Sequence, residues 1–507
     1  MHNTEWIVVF GGIAAFLNAV TVGANNVAIC WGPVLGAKVV EYRSAVLLGS
    51  ICQLAGVLAF GPRTYTIYGG FLNPKFVSHT QPDLMLYATM WTVITPVVWQ
   101  LLAIRRQILV PTYLGTVAST LGAALVYPGP SLIEFGQSQR TPPFVSGVGP
   151  VLLAWLWSPF ISMVLASSSY LLTRTQIFRG EDSFHKALWT MPAIGCIAGG
   201  TVALLVICVI GPPLQYLSVD RYNASPQAIV IFVTAAGSLG CLATCLAIPH
   251  LTRRLSSRGQ TFKVLKRMNL LGLDDATMAS LTAQDKHGDV KGWAHRVYAW
   301  LFEGDLFAGV ATDNKLMRIH STAEQFDPAA EETLVPFQAI ICMLLSVTHG
   351  ANNARSSVGV FTMMLALHNS GVITETVHIH FMWRAIYAVG MTLGTVLLGF
   401  RLAPVAGVLL AKMTPFRSCL VILNAAWAIV ILGELQLKGG VLTYAIVAAV
   451  TTAGFTEGCR QVNWRVVAAH GMWWFMGFFV VLLATFVLVA QGQAYPCSFF
   501  VCGSVPC

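Results

Sequence analysis

The sequence predicts an all-α, polytopic membrane protein of two related halves, with about ten to twelve transmembrane helices plus broken or re-entrant ones. Three observations lead there. Of 507 residues, 56% are hydrophobic and only 10% charged, whereas a soluble domain carries about 25% charged residues. Mean hydropathy is +0.68, too apolar for the few charges to cover a water-facing surface. The 45 glycines and 23 prolines suit helices that bend or break inside a bilayer. This composition excludes an ordinary soluble enzyme, a disordered regulator and a coiled coil.

Runs apolar and long enough to cross a bilayer, about 20 residues, lie near 6–22, 44–60, 84–104, 108–127, 145–173, 188–212, 226–249, 336–349, 382–400, 418–434, 441–455 and 464–490. The stretches 27–40, 354–368 and 402–411 are short or carry Gly and Pro, and read as half-helices or re-entrant segments. Met1–Val22 lacks a basic leader and carries Glu5, so it reads as a first span and not as a signal peptide.

The interval 250–335 is different. It holds 11 of the 21 acids and 11 of the 30 Lys and Arg residues, and reads as a solvated linker between a first half (1–249) and a second half (336–492). A short tail, 493–507, follows. Residues 253–267 carry six basic side chains and no acid, which assigns this loop to the cytoplasmic side. Arg174, Arg179 and Lys186 assign the 174–187 loop to the same side. Residues 213–225, with the N-x-S site at Asn223, then fall on the opposite side. The net charge of +9 therefore reports orientation, and no nucleic-acid partner is expected. The 12 cysteines form no C-x-x-C pair and read as apolar fillers. Cys497, Cys502 and Cys507, evenly spaced after the last span, have no assigned role.

The halves repeat one another. Residues 22–30 read VGANNVAIC and residues 348–356 read THGANNARS; 110–120 read VPTYLGTVAST and 441–451 read VLTYAIVAAVT. Two motifs recurring in the same order, 87 residues apart in the first half (Asn25 to Thr112) and 91 in the second (Asn352 to Thr443), indicate duplication. A repeat-built carrier places its substrate between the halves. Adjacent asparagines after a glycine disfavour helix continuation. A break there would free the amides that open the next half-helix, and those amides attract an anion.

At these residues the chain resembles the PiT family of inorganic phosphate transporters. The family's G-A-N-D-V-A-N motif corresponds to Gly23-Ala24-Asn25-Asn26-Val27-Ala28, and its H-G-x-N-D motif to His349-Gly350-Ala351-Asn352-Asn353. Trp155-Leu156-Trp157-Ser158-Pro159, Lys412-Met413-Thr414-Pro415-Phe416-Arg417 and Val462-Asn463-Trp464 resemble three further family stretches. The resemblance runs from about residue 6 to 490 and implies inverted repeats and sodium- or proton-coupled phosphate import. The departures are specific. Asn26 and Asn353 replace the family's aspartates, and Ile29 and Ser356 its following asparagines. Gln53, in Gln53-Leu54-Ala55-Gly56, replaces a glutamate, and a single threonine, Thr112 or Thr443, survives from each S-T-T-H stretch.

The resulting expectation is a secondary carrier of inorganic phosphate that is not an enzyme and holds no cofactor. Its coupling ion is Na+ or H+, and no metal ligand set is assigned. Asn25, Asn26, Thr112, Asn352, Asn353, Arg355 and Thr443 are the expected substrate residues, with Gln53 and His349 beside them in a supporting or proton-linked role. Glu434 and Glu457 read as interfacial, Lys38 and Glu41 as a loop edge, and Trp473-Trp474 as an aromatic belt. The plasma membrane is the expected location, with an organellar membrane as the alternative, and a homodimer is allowed. The rival readings are a phosphate sensor that does not transport, and a carrier of another oxyanion such as sulfate.

Overall fold

The computed structural model describes residues 4–60, 63–65, 71–72, 81–138, 145–210, 226–269, 304–371, 376–435 and 440–494. The first half comprises α1 (Glu5–Asn26), α2 (Gly32–Gly36), α3 (Tyr42–Phe60), α4 (Pro82–Arg105), α5 (Thr112–Val126) and α6 (Val148–Thr173). Two helices, α7 (Ser183–Leu204) and α8 (Pro226–Asn269), pair with each other. Three short helices follow: α9 (Ala308–Thr312), α10 (Asn314–Thr322) and α11 (Pro328–Glu332). The second half comprises α12 (Val335–Asn353), α13 (Val360–Ser370), α14 (Phe381–Pro404), α15 (Pro415–Glu434), α16 (Leu442–Phe455) and α17 (Trp464–Ala494). Short antiparallel ladders join Arg63–Tyr65 to Thr376–His378 and Gln137–Ser138 to Val145–Ser146.

All twelve apolar runs fall on helices. Among the described residues, ten of these helices are long and apolar enough to cross a membrane, whereas α5 and α16 are shorter. The protein is a multi-pass integral membrane protein. Large apolar side chains such as Leu156, Leu172, Leu246, Phe475 and Leu483 stand exposed on α6, α8 and α17, as a lipid-facing surface requires.

The three interrupted stretches are not breaks. Val27–Trp31, Arg355–Gly359 and Val405–Leu409 are π-helical turns that continue their helices. A π turn absorbs an extra residue by bonding i to i+5, as Gly359 N does to Ala354 O at 3.1 Å and Leu410 N to Val405 O at 3.2 Å. The expected free amides after the asparagine pairs are therefore not there.

The halves exchange equivalent helices. In the first half α1 packs on α14; in the second α12 packs on α3. Likewise α5 packs on α17, and α16 on α6. Glycines make the first two contacts backbone to backbone. A Cβ on Gly23 would lie 1.9 Å from Met391 O, and one on Gly350 2.1 Å from Gln53 O. The partner glycines answer in kind: Gly394 faces Val20 O at 1.8 Å, and Gly56 faces Val347 O at 2.1 Å. The motif glycines thus serve close helix approach; they do not break the chain.

The reading of 250–335 as a solvated linker needs correction at both ends. Residues 250–269 continue α8, and 304–334 is folded and docked, while 270–303 lies outside the described residues, as does Asn223. Asp313 caps α10 by accepting from Lys315 N at 2.8 Å and Leu316 N at 3.3 Å, and Leu316 and Ile319 are buried. Glu331 is buried beneath Thr414, whose Oγ1 donates to it at 2.9 Å. Burial pushes this carboxyl up from 4.5 to about 7, against the pull of Thr414, Arg417 and Lys412. An acid with a raised folded pKa binds its proton more tightly when folded. Its stabilisation is present at low pH and is lost as pH rises from 4.5 to about 7. Glu331→Gln should therefore flatten the decline in melting temperature over that window, which is worth up to about 1.4 kcal/mol per pH unit. An unchanged slope would show that other groups set it.

Candidate functional site

The short helices α5 and α16 open on the two paired motifs. Thr112 is the first residue of α5, after Pro111 in extended conformation, and Thr443 is the second of α16. The helix N-termini expected at the asparagine pairs are thus supplied by these two helices instead. An N-terminus carries unsatisfied amides and a partial positive charge that suit an anion.

Several separate groups of polar contacts involve the motif residues, and one of them joins the halves. Thr112 Oγ1 donates to Asn353 Oδ1 at 2.5 Å, and Asn353 Nδ2 donates to His349 O at 2.9 Å. Asn25 Nδ2 reaches Val110 O at 3.4 Å, two residues before Thr112. Asn26 Nδ2 donates to Gly49 O at 3.1 Å, one turn before Gln53 on α3. Gln53 Oε1 accepts from Thr395 Oγ1 at 3.0 Å, and the same hydroxyl lies 2.9 Å from Gly23 O. Asn25, Asn26, Gln53, Thr112 and His349 are all buried. Among the described residues, Asn25 Oδ1, Asn26 Oδ1, Gln53 Nε2 and His349 Nδ1 have no protein partner. Buried polar atoms without partners cost about 1–3 kcal/mol each, and a ligand or water at these four would offset that cost.

Other expected residues stand apart. Asn352 is exposed and outside these groups of bonds. Thr443 is buried on α16, which packs against the Val27–Trp31 turn, and it too lies outside them. The side chain of Arg355 lies outside the described residues, as do Cys497, Cys502 and Cys507. Glu434 is exposed, but Glu457 is not an interfacial acid. Its side chain is buried in an ion pair with Arg417, whose guanidinium offsets part of the cost of taking a carboxylate out of water. Trp473 and Trp474 are half-buried: Trp473 packs on Trp99 with centroids 4.7 Å apart, and Trp474 Nε1 donates to Leu109 O at 2.7 Å. Among the described residues no three His, Cys, Asp or Glu side chains could hold a metal.

Several residues of the site have no motif to announce them. Trp474 and His470, whose Nε2 accepts from Leu109 N at 3.0 Å, fix the 106–111 turn from α17 and so place Val110 O and Thr112. Thr21 Oγ1 donates to Gln100 Oε1 on α4. With Asn18 and Asn25, Thr21 forms a buried polar stripe on α1 at spacings of three and four residues, a helical periodicity that the sequence does carry. Thr395 leaves no such trace. The named side chains are amides, hydroxyls, two imidazoles and an indole. Such a set can donate to oxyanion oxygens and accept a proton-bearing oxygen, but brings no charge of its own to balance a metal cation.

Comparison with known proteins follows this geometry. The sequence matches the phosphate transporter family over residues 22–485. A phosphate-repressible phosphate permease of Neurospora crassa is 22% identical over 95% of this chain and 96% of its own. The sodium-dependent phosphate transporter 1 of Mus musculus is 26% identical over 53% of this chain and 38% of its own. A solved structure titled "The sodium-dependent phosphate transporter" superposes with a TM-score of 0.67 at 19% identity, covering 96% of this chain and 99% of the other.

Proposed function

The chain belongs to the phosphate transporter family, and from that premise we propose that it is a secondary carrier of inorganic phosphate whose substrate is held by neutral amides and hydroxyls. The observation that carries the reading is the bond from Thr112 of the first half to Asn353 of the second, beside buried and unpartnered amide atoms of Asn25, Asn26 and Gln53. A substrate bound there touches both halves, as alternating access requires. Unpartnered Asn25 Oδ1 and Asn26 Oδ1 are acceptors, because their Nδ2 atoms face carbonyls. Phosphate near neutral pH keeps a P–OH proton to donate to them. Sulfate has none, and would set acceptor against acceptor. The relatives named as sodium-dependent carry that description themselves. In this chain Asn26, Asn353 and Gln53 are neutral, and we read phosphate binding as weakly dependent on sodium. Any coupling would then run on protons. The plasma membrane is the location this reading favours.

Uptake of labelled phosphate by vesicles containing the purified protein tests it, with sodium, pH and potential varied separately. Uptake above that of protein-free vesicles, poorly competed by sulfate, is expected. Binding without uptake would make the protein a sensor, and preferred sulfate uptake would reassign the substrate.

A further inference from the structure

We propose that residues 305–333 form the gate at one end of the carrier, the end that the basic loops assign to the cytoplasm, and that a two-layer ionic clasp holds it shut. The proposal rests on the carrier reading above. The segment stitches together helix ends from both halves. Lys38, beyond α2, places its Nζ 4.7 Å from the centre of the Phe307 ring. His320 Nε2 lies 3.0 Å from Val408 O beyond α14, and Lys412 Nζ donates to His320 O at 2.9 Å. Gln461 Nε2, beyond α16, reaches Thr322 O at 3.1 Å and its Oγ1 at 3.0 Å. Phe326 packs between Phe178, beyond α6, and Phe416 on α15. Helices α1 and α14 carry Asn25, Asn26 and Thr395 in the site. A segment tied to the ends of their continuations and to α6, α15 and α16 has to release some of these contacts if the halves move against one another.

The clasp has an inner and an outer layer of unequal strength. In the inner layer Arg417 Nε donates to Glu457 Oε1 at 2.7 Å, and its Nη2 donates to Glu324 O at 2.7 Å. Glu324 N donates to Glu457 Oε2 at 3.0 Å, and Tyr170 OH donates to Oε1 of the same carboxylate. The Arg417 and Glu457 side chains are only 1% and 3% exposed, so this layer is dry and costly to break. In the outer layer the Glu324 carboxylate sits between two guanidiniums, with Arg174 Nε at 2.7 Å and Arg179 Nε at 2.7 Å. The π turn Arg174–Phe178, closed by Arg179 N to Arg174 O at 2.9 Å, brings residues five apart onto one face. Arg179 and Glu324 are 51% and 24% exposed, so water and salt reach this layer and it is the weaker. The helices between, of 5, 9 and 5 residues, are too short to persist undocked. The segment is therefore an element with two states. The outer layer opens first, and the inner layer, which binds Tyr170 of α6 as well as the backbone of Glu324, has to part next for the segment to leave the second half.

Two measurements on the full-length protein in vesicles test the gate. Hydrogen exchange at the amides of residues 316–333 should be about tenfold faster in Glu324→Gln, and in the unmodified protein at molar salt, with the amides of α4 and α5 unmoved. For the lock, Thr322→Cys and Gln461→Cys are combined with Cys459→Ser and joined by a reducible bifunctional thiol reagent. Phosphate uptake should drop about tenfold or more and return on reduction, while the Cys459→Ser protein treated alike is unaffected. A joined carrier that transports at its unjoined rate would make the segment a fixed anchor and overturn the gate. Unchanged exchange in Glu324→Gln would overturn the clasp. If the unmodified protein takes up no phosphate, the carrier reading fails instead, and the exchange measurement still reads the clasp.

Discussion

Removing the Asn353 carboxamide by Asn353→Ala should weaken phosphate binding about ten- to a hundredfold, with the protein still inserting and melting as a folded unit. The estimate takes one hydrogen bond to a charged ligand at about 1.5–3 kcal/mol. Asn353 is one point where the halves touch: its Oδ1 takes the Thr112 hydroxyl and its Nδ2 holds His349 O. On the proposed reading its loss removes a ligand contact, and it leaves the Thr112 hydroxyl at the head of α5 without its acceptor. Thr112→Val keeps the shape and removes the same bond from the other side. If the two act as one unit, the double variant should lose little more than either single one. Equilibrium binding of labelled phosphate to the purified variants, beside their melting temperatures, checks this. Binding within about twofold of the unmodified protein in both single variants would reduce the contact to a helix-packing bond.

What the sequence made legible depended on how the physical signal is written along the chain. Spans are readable because burial in lipid demands about 20 apolar residues in a row. The Thr112–Asn353 meeting was readable because duplication wrote its parts twice in the same order. The glycines were readable as positions but not in purpose: that Gly23 and Gly350 approach Met391 O and Gln53 O follows from the packing of α1 on α14 and of α12 on α3, which no local propensity encodes. The asparagine pairs misled for a similar reason. Propensity disfavours helix there, yet Asn26 finds Gly49 O, Asn353 finds His349 O and a π turn absorbs the irregularity, so packing overrides the local preference. Trp474, His470 and Thr395 act across the bundle, on turns and helices far away in sequence, and a single chain gives no sign of such pairings. The docked 304–334 segment was hidden by its charge, because Glu324, Glu331 and Glu457 look solvated until their partners Arg174, Thr414 and Arg417 are in place.

Replacing sodium by choline should leave phosphate binding to this protein within about twofold, and Asn26→Asp with Asn353→Asp should make it depend on sodium by about tenfold or more. The argument is local charge. Asn26 Nδ2 points its protons at Gly49 O, and Asn353 Nδ2 points its protons at His349 O. Each amide supplies the positive end that a backbone carbonyl seeks. An aspartate in the same place would set a carboxylate oxygen against that carbonyl. In a low-dielectric setting the repulsion is relieved by a cation between them or by protonation of the acid. The amides therefore stand in for the cation as well as for the acid. Gln53 does not repeat the pattern: its Oε1 accepts from Thr395 and its Nε2 has no protein partner among the described residues, so its part in the argument is only that it carries no charge. On this reading phosphate finds its charge compensation in the N-terminus of α5 and in hydroxyl and amide donors, which are present whether or not sodium is. Titrating phosphate binding against sodium at constant ionic strength, in the unmodified protein and in the double variant, distinguishes the cases. A steep sodium requirement in the unmodified protein would sink the charge argument. The unpartnered oxygens Asn25 Oδ1 and Asn26 Oδ1 would then be the atoms that hold the ion.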